Sequence, residues 1–223
     1  MAAVSDKTVG RLSLYRRLLA DATARGVRHL YSHELARLAG VSAAQVRRDL
    51  MAVGYRGTPI HGYEAVLLSD SIAALLDAPG PQAIALVGVG NLGRAILAYF
   101  AGRHPKISFT AAFDSDPAKA GRVVQGCRCH VMHELARVIG QEGIRAAVIA
   151  VPAPSAQEAA DQLVAAGVRS ILNFAPTSLR AGAGVYVEHH DLTTSIERVA
   201  FYARAPLGPP APSPRISRRA PGV

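Results

Sequence analysis

The chain has 223 residues, half of them hydrophobic, which is enough to bury one large core or two small ones. It has no apolar run of membrane-spanning length and no basic-then-apolar start, and its two cysteines, Cys127 and Cys129, sit one residue apart; a membrane protein, a secretory leader and a disulfide scaffold are thereby disfavoured, and a cytoplasmic protein is expected. The net charge of +9, concentrated toward the two ends, favours a polyanion partner, while 5% aromatics and no tryptophan argue against a base-stacking platform for single strands.

Residues 7–25 place Val9, Leu12, Tyr15 or Arg16, and Leu19 at helical spacing before a stop at Gly26. YSHELARLAG predicts a short second helix with Ser32 as cap, Leu35 and Leu38 on the buried side and Gly40 as terminator. In SAAQVRRDLMAVG, Ser42 and Gln45 are spaced as a capping box that fixes the start of a third helix. Val46, Leu50 and Val53 share one face, and Ala44, Arg48 and Met51 the opposite one with Arg47 on its flank. Two helices joined by a tight turn, the second presenting arginines and small residues, form the helix-turn-helix pattern for duplex DNA. The turn-rich YRGTPIHGYEAV suits a two-strand wing, SDSIAALLD a fourth helix, and APGP a linker.

From residue 82 the rhythm becomes strand, turn, helix. QAIALVGV, KISFTAAFD, RAAVIAV, SILNF and GVYVE read as strands, NLGRAILAYFAG and PSAQEAADQLVAAG as helices, and DPAKAG as a short helix capped by Asp116. This alternation predicts a mainly parallel doubly wound sheet. DLTTSIERVAFYARA is a last helix whose stripe of Leu192, Ile196, Val199 and Ala203 needs a surface to cover, and residues 205–223 are a basic, Pro-rich tail expected to be disordered.

Gly88, Gly90 and Gly93 form GxGxxG at a strand-to-helix junction, where the helix N-terminus faces a pyrophosphate. Asp114 ends the second strand, where a carboxylate accepts from an adenosine ribose and repels a 2′-phosphate, so NAD(H) is preferred to NADP(H). Coenzyme A or another nucleotide is the alternative ligand. Catalytic equipment is sparse: His189–His190 beside Asp191 is the single candidate pairing, read instead as a strand-end turn. Cys127, Cys129, His130 and His133 could bind zinc or copper, but CxCHxxH is not an established closed-site spacing and no metal is expected.

These stretches together resemble the Rex family of bacterial redox-sensing transcriptional repressors over about residues 8–203. RLSLYRRLL, SHELARLAGVSAAQVRRDL, VGVGNLGRAI, AAFDSDPAKAG, AVPAPSAQEAADQLVAAGV, ILNFAP and the HDLT helix start carry the resemblance. It implies an α/β chain with four parts: a winged helix-turn-helix domain over 1–77, a Rossmann domain over 82–190, a dimerisation helix over 191–204 that swaps across a homodimer, and the tail. It implies a non-enzymatic repressor that leaves double-stranded operator DNA when NADH rather than NAD⁺ is bound.

Carried over by motif, the loop of Gly88, Val89, Gly90, Asn91, Leu92 and Gly93 holds the pyrophosphate and Asp114 the ribose. Tyr99, Val151, Pro152, Asn173, Phe174, Ala175 and Pro176 lie toward the nicotinamide. Ser42, Ala44, Gln45, Arg47, Arg48 and Arg56 face DNA, and Arg17 and Asp191 couple the cofactor to the domain arrangement. The chain departs from the family pattern at Met51–Ala52–Val53, at Pro59–Ile60–His61–Gly62 in the wing and at Ala150 before the VP turn; a shifted operator is expected, with Arg56 substituting for the usual wing arginine. The competing readings are a small NAD-dependent oxidoreductase, or a DNA-binding regulator that senses metal or thiol redox through the Cys/His cluster.

Overall fold

The computed structural model describes residues 4–58, 60–104 and 106–204, and the chain divides between Gln82 and Ala83 into two compact units. The tail over 205–223 lies outside the described residues. None of the described helices is long and apolar enough to cross a membrane.

In the first unit α1 (Asp6–Ala24) begins at Ser5, whose hydroxyl accepts from the Thr8 N–H, and buries Leu12, Tyr15, Leu19 and Ala22. Tyr15, not Arg16, is thus the inward residue, and Val9 is left 40% exposed at the rim of the predicted stripe. The helix pair follows as α2 (Ser32–Ala39) and α3 (Ala43–Val53), ended by Gly40 and Gly54 in left-handed conformation. The N-cap of α2 is Tyr31 rather than Ser32: the Glu34 carboxylate accepts from the Tyr31 N–H at 2.8 Å, and the Ser32 hydroxyl accepts instead from Arg47 at 3.1 Å. Leu38 is half exposed, with Leu35 and Ala36 taking the buried side.

Only half of the expected capping box forms at α3. Ser42 accepts from the Gln45 N–H at 3.1 Å, but the Gln45 amide turns along the helix, donating to Asp49 at 2.8 Å and accepting from Arg48 at 2.7 Å. The expected two-strand wing is also modified. Strand β1 (His29–Leu30), which the sequence pattern did not reveal, pairs antiparallel with β2 (Tyr63–Glu64). The preceding turn is closed by two backbone hydrogen bonds between Thr58 and Gly62, at 2.8 and 2.9 Å, and pinned by the Tyr31 hydroxyl donating to the Ile60 carbonyl at 2.5 Å. Helix α4 (Ala65–Leu76) completes the unit through Ala65, Leu68 and Ile72.

Asp49, on the buried side of α3, is only 2% exposed. Arg11 of α1 donates to both of its oxygens, at 2.6 and 2.7 Å, and Tyr15 donates at 2.9 Å. Burial alone would raise the Asp49 pKa, but the hydrogen bonds from Arg11, Gln45 and Tyr15 outweigh it and hold the carboxyl below its ordinary value.

The second unit opens with β3 (Gln82–Val87), α5 (Asn91–Phe100) and β4 (Ile107–Asp114). After a 3-10 turn at Pro117–Lys119, capped by Asp116 as predicted, come β5 (Val123–Val124), β6 (Cys127–Val131) and α6 (Leu135–Glu142). The sheet then continues through β7 (Ala146–Ile149), α7 (Ala153–Ala165), β8 (Ser170–Asn173) and β9 (Tyr186–His189), followed by α8 (Leu192–Arg204). The strands order as β5-β6-β4-β3-β7-β8-β9, with β5 antiparallel to its neighbour and the ladders β3–β7, β4–β6, β7–β8 and β8–β9 parallel.

Strand alternation separates two cores. Ala85, Val87, Ala111, Phe113, Ala147 and Ile149 face α6 and α7, while Leu86, Ala112 and Val148 face α5. Helix α6 and strand β5 were not anticipated, although Leu135, Val138 and Ile139 before Gly143 carry a helical spacing. The stripe on α8 is uncovered: Ile196 and Val199 are 68% and 72% exposed.

Because the Asp49 pKa is depressed in the fold, its stabilisation is present above the unfolded carboxylate value of about 3.9 and is lost as pH falls through the lower folded value. Asp49→Ala is expected to destabilise the first unit by about 3 kcal/mol at neutral pH, because it strands the Arg11 guanidinium and Tyr15 hydroxyl. Thermal melts across pH check this: the gap between wild type and variant narrows toward about pH 2, and a gap independent of pH contradicts it.

Candidate functional site

The strand order reverses between β3 and β7, so the connections from their carboxyl ends leave in opposite directions and open a cleft, the position at which doubly wound sheets bind ligands. The three glycines at its edge have different duties. Gly88 has a φ of +99°, and a Cβ there would lie 2.5 Å from the Ala150 carbonyl oxygen. A Cβ on Gly93 would lie 2.0 Å from the Gly88 carbonyl oxygen, so α5 packs on the loop only because Gly93 is bare. Gly90 has an ordinary φ of −83°, and a Cβ added there would meet nothing within 4 Å. The fold therefore requires glycine at 88 and 93 but not at 90, where open space borders the cleft. Gly90 is also the N-cap of α5, which receives no side-chain cap, so the first-turn N–H groups remain for an anion.

Asp114, 8% exposed, ties the loop down. Its Oδ2 accepts from the Val89 N–H and from Lys119 Nζ, both at 2.8 Å, and its Oδ1 accepts from the Asp116 N–H at 2.9 Å. Burial opposes the charge, but Lys119 and the two backbone donors prevail and lower the pKa, so the carboxylate is ionised. The cleft has a volume of about 550 Å³ and is bounded by Val87, Gly88, Gly90, Asp114, Ser115, Asp116, Lys119, Met132, Ala150, Val151 and Pro152, with Ser155, Glu158, Ala159 and Gln162 of α7 along one wall. A hydrophilic rim at Asp114 and apolar surface at Met132, Ala150 and Val151 suit an adenosine diphosphate half.

The structure brings together part of the predicted set. Gly88, Gly90, Asp114, Val151 and Pro152 line the cleft; Val89 contributes its N–H while its side chain is buried, and Asn91 accepts from Arg94 at 2.6 Å. Leu92 is half-buried in the first turn of α5. Tyr99 does not line the cleft: it is 57% exposed on α5, with Arg103 5.3 Å from its ring centre. Asn173 is wholly buried and spends its amide on the backbone, donating to the carbonyls of Ala175 and Thr177 and accepting from the Ala175 N–H, with His189 at 3.1 Å. It therefore shapes the loop that carries Phe174, Ala175 and Pro176 and has no amide hydrogen directed to the cleft.

Lys119 and the α7 wall were missed in the sequence. The wall was legible as Ser155, Glu158, Ala159 and Gln162 at i, i+3, i+4 and i+7, one face of a helix.

The Cys/His cluster does not assemble. Cys127 and Cys129 belong to the core facing α5, whereas His130 packs 5.7 Å from Phe113 across the sheet and His133 is exposed. Burial raises the thiol pKa of both cysteines, to about 11 at Cys127, which suppresses thiolate chemistry. Among the described residues no three metal-ligating side chains converge. The His189–His190–Asp191 pairing also dissolves: His189 meets Asn173, His190 meets the Phe174 ring, and Asp191 caps α8 by accepting from Thr193, Thr194 and the Thr194 hydroxyl.

In the first unit Ala44, Arg47, Arg48 and Met51 are exposed along α3, and Ser42 and Arg56 are exposed beside it. Gln45 is half-buried and committed to Asp49 and Arg48, so it orients the arginine. Arg17 is exposed on α1.

Residues 80–177 match the family model described as "CoA binding domain", and residues 3–50 match "Putative DNA-binding protein N-terminus". Similar curated proteins are redox-sensing transcriptional repressors named Rex. One from Roseiflexus sp. is 40% identical over 88% of this chain and 90% of its own, and one from Streptomyces coelicolor is 40% identical over 92% and 80%. A crystal structure of the Rex-family repressor RSP in complex with β-NAD⁺ and operator DNA matches with a TM-score of 0.83 and 28% identity, covering 91% of this chain and 94% of that one; RSP in complex with β-NADH matches with a TM-score of 0.80 and 28% identity, covering 91% and 95%. The relatives are named as regulators, four fifths or more of their length is spanned, and both family models fall on the two units just described: the chain belongs to the Rex family of redox-sensing transcriptional repressors.

Proposed function

We propose that this chain is a cytoplasmic repressor that binds double-stranded operator DNA through α3 and the wing and lets go when NADH occupies the cleft of the second unit. The observation that carries this reading is Gly90: the fold does not need glycine there, yet the position faces the cleft beside an uncapped helix N-terminus and an ionised Asp114. Gly88, Gly90 and the first-turn N–H groups of α5 would hold a pyrophosphate, and Asp114 a ribose. The dinucleotide, when bound, supplies the redox signal as its nicotinamide charge.

NADH and NAD⁺ differ by a hydride and one charge, so discrimination resides at the nicotinamide end. Val151 and Pro152 line the cleft, and the loop of Phe174, Ala175 and Pro176 that Asn173 shapes would add apolar surface at the ring; such a wall penalises a cationic ring. Arg17 and Asp191 couple occupancy to the domain arrangement, and occupancy shifts that arrangement only by the difference in affinity between its two states. The exposed stripe on α8 pairs with a second copy of the chain, making a homodimer with two recognition helices and half-sites about one helical turn, or a multiple, apart.

Selection of bound duplexes from a random pool tests the DNA half: enrichment of a two-half-site sequence supports the repressor, and no enrichment favours a small oxidoreductase. Gly90→Val is expected to abolish NADH binding while leaving the melting temperature within a few degrees, since open space receives the new side chain. Isothermal titration and a thermal melt check both, and retained binding contradicts the pyrophosphate placement. Arg48→Ala is expected to weaken duplex affinity by about tenfold, the lower part of the range for a lost arginine contact, with NADH affinity unchanged; filter binding at fixed salt reads it, and wild-type affinity contradicts the assigned DNA face.

A further inference from the structure

The acid that ends β4 is not alone. Asp114 has both acceptor directions of Oδ2 filled, by the Val89 N–H and Lys119 Nζ, and one of Oδ1 filled by the Asp116 N–H. A ribose diol that approaches this carboxylate finds room for one hydroxyl, whereas a bare carboxylate offers two. The second ribose oxygen then falls to Lys119, which lines the cleft, is one-third exposed at its side chain and uses one of three donors on Asp114. The sequence rule that an acid at this position repels a 2′-phosphate assumes an uncompensated negative charge. Here Asp114 and Lys119 cancel at 2.8 Å, which leaves Asp116 and, on the α7 wall, Glu158 as the remaining charges of the cleft lining.

We propose that Lys119 determines selectivity at the adenosine 2′ position, so that this chain rejects NADPH only weakly and rejection becomes strong when the Lys119 charge is removed. The inference rests on the dinucleotide reading of the cleft and specifies its ligand. Lys119 acts at the phosphate-bearing oxygen and not at the redox end, so NADPH and NADH would compete for one site, and the ratio of their dissociation constants reports the lysine directly.

The test is fluorescence titration of the full chain with NADH and with NADPH at fixed low salt, in wild type, Lys119→Met and Lys119→Arg. The expected result is a rise of at least about tenfold in the NADPH-to-NADH ratio of dissociation constants in Lys119→Met, with NADH weakened by the lost donor to its ribose oxygen and NADPH weakened by at least about tenfold more, and the ratio retained in Lys119→Arg. Added salt is expected to weaken NADPH more than NADH in wild type and to do so less in Lys119→Met. An unchanged ratio in Lys119→Met with NADH still bound overturns this inference alone. Equal weakening of both ligands assigns Lys119 a purely structural role and also overturns it. Failure of wild type to bind NADH overturns the dinucleotide reading and this inference with it.

Discussion

The Asp114 carboxylate joins the end of β4 to the turn after β3, and the cleft exists because that joint is held. Its bond to the Val89 N–H fixes the loop at the point where Gly88 takes a conformation closed to most side chains and where Gly93 brings α5 against the Gly88 carbonyl. These contacts leave no slack, so the helix N-terminus and the carboxylate present themselves at a set spacing before any ligand arrives. Preorganisation of this kind spares a ligand the ordering cost that flexible sites impose. It also makes Gly90, bounded by empty space, stand out as a position reserved for something other than the chain itself.

A comparable joint operates in the first unit. Asp49 is to the helix pair what Asp114 is to the glycine turn: a buried carboxylate whose donors come from different elements, here Arg11 and Tyr15 of α1 and Gln45 of α3. Through Gln45 the network reaches Arg48, so the basic face of α3 is oriented by the core and not by solvent. Both acids are ionised against the burial that opposes them, because each has donors from more than one element.

The parts legible in the sequence were those with a period or a motif. Short apolar runs in a strand–turn–helix rhythm located the strands β3, β4, β7, β8 and β9, glycine spacing located the turn, and the terminal acid of β4 was found from its place in the order. What was not legible depended on contacts between distant residues. Asp49 reads as one more polar residue on a helix until Arg11, 38 positions earlier, reaches it. Tyr31 replaced Ser32 as the cap of α2 because the Glu34 side chain folded back to its N–H. The soft ligands of GCRCHVMHE, close in sequence, were dispersed because a strand sends alternate side chains to opposite faces. Helix α6 was hidden for a related reason: it is eight residues long and its apolar positions adjoin that conspicuous cluster.

Whether the redox state of one dinucleotide decides if DNA is held is read by fluorescence anisotropy of a labelled operator duplex bound to the full chain, titrated with NADH and separately with NAD⁺ at constant salt. NADH is expected to release the duplex at concentrations at which NAD⁺ leaves it bound. Release by both forms at equal concentration, or by neither while NADH is shown to bind, would contradict it.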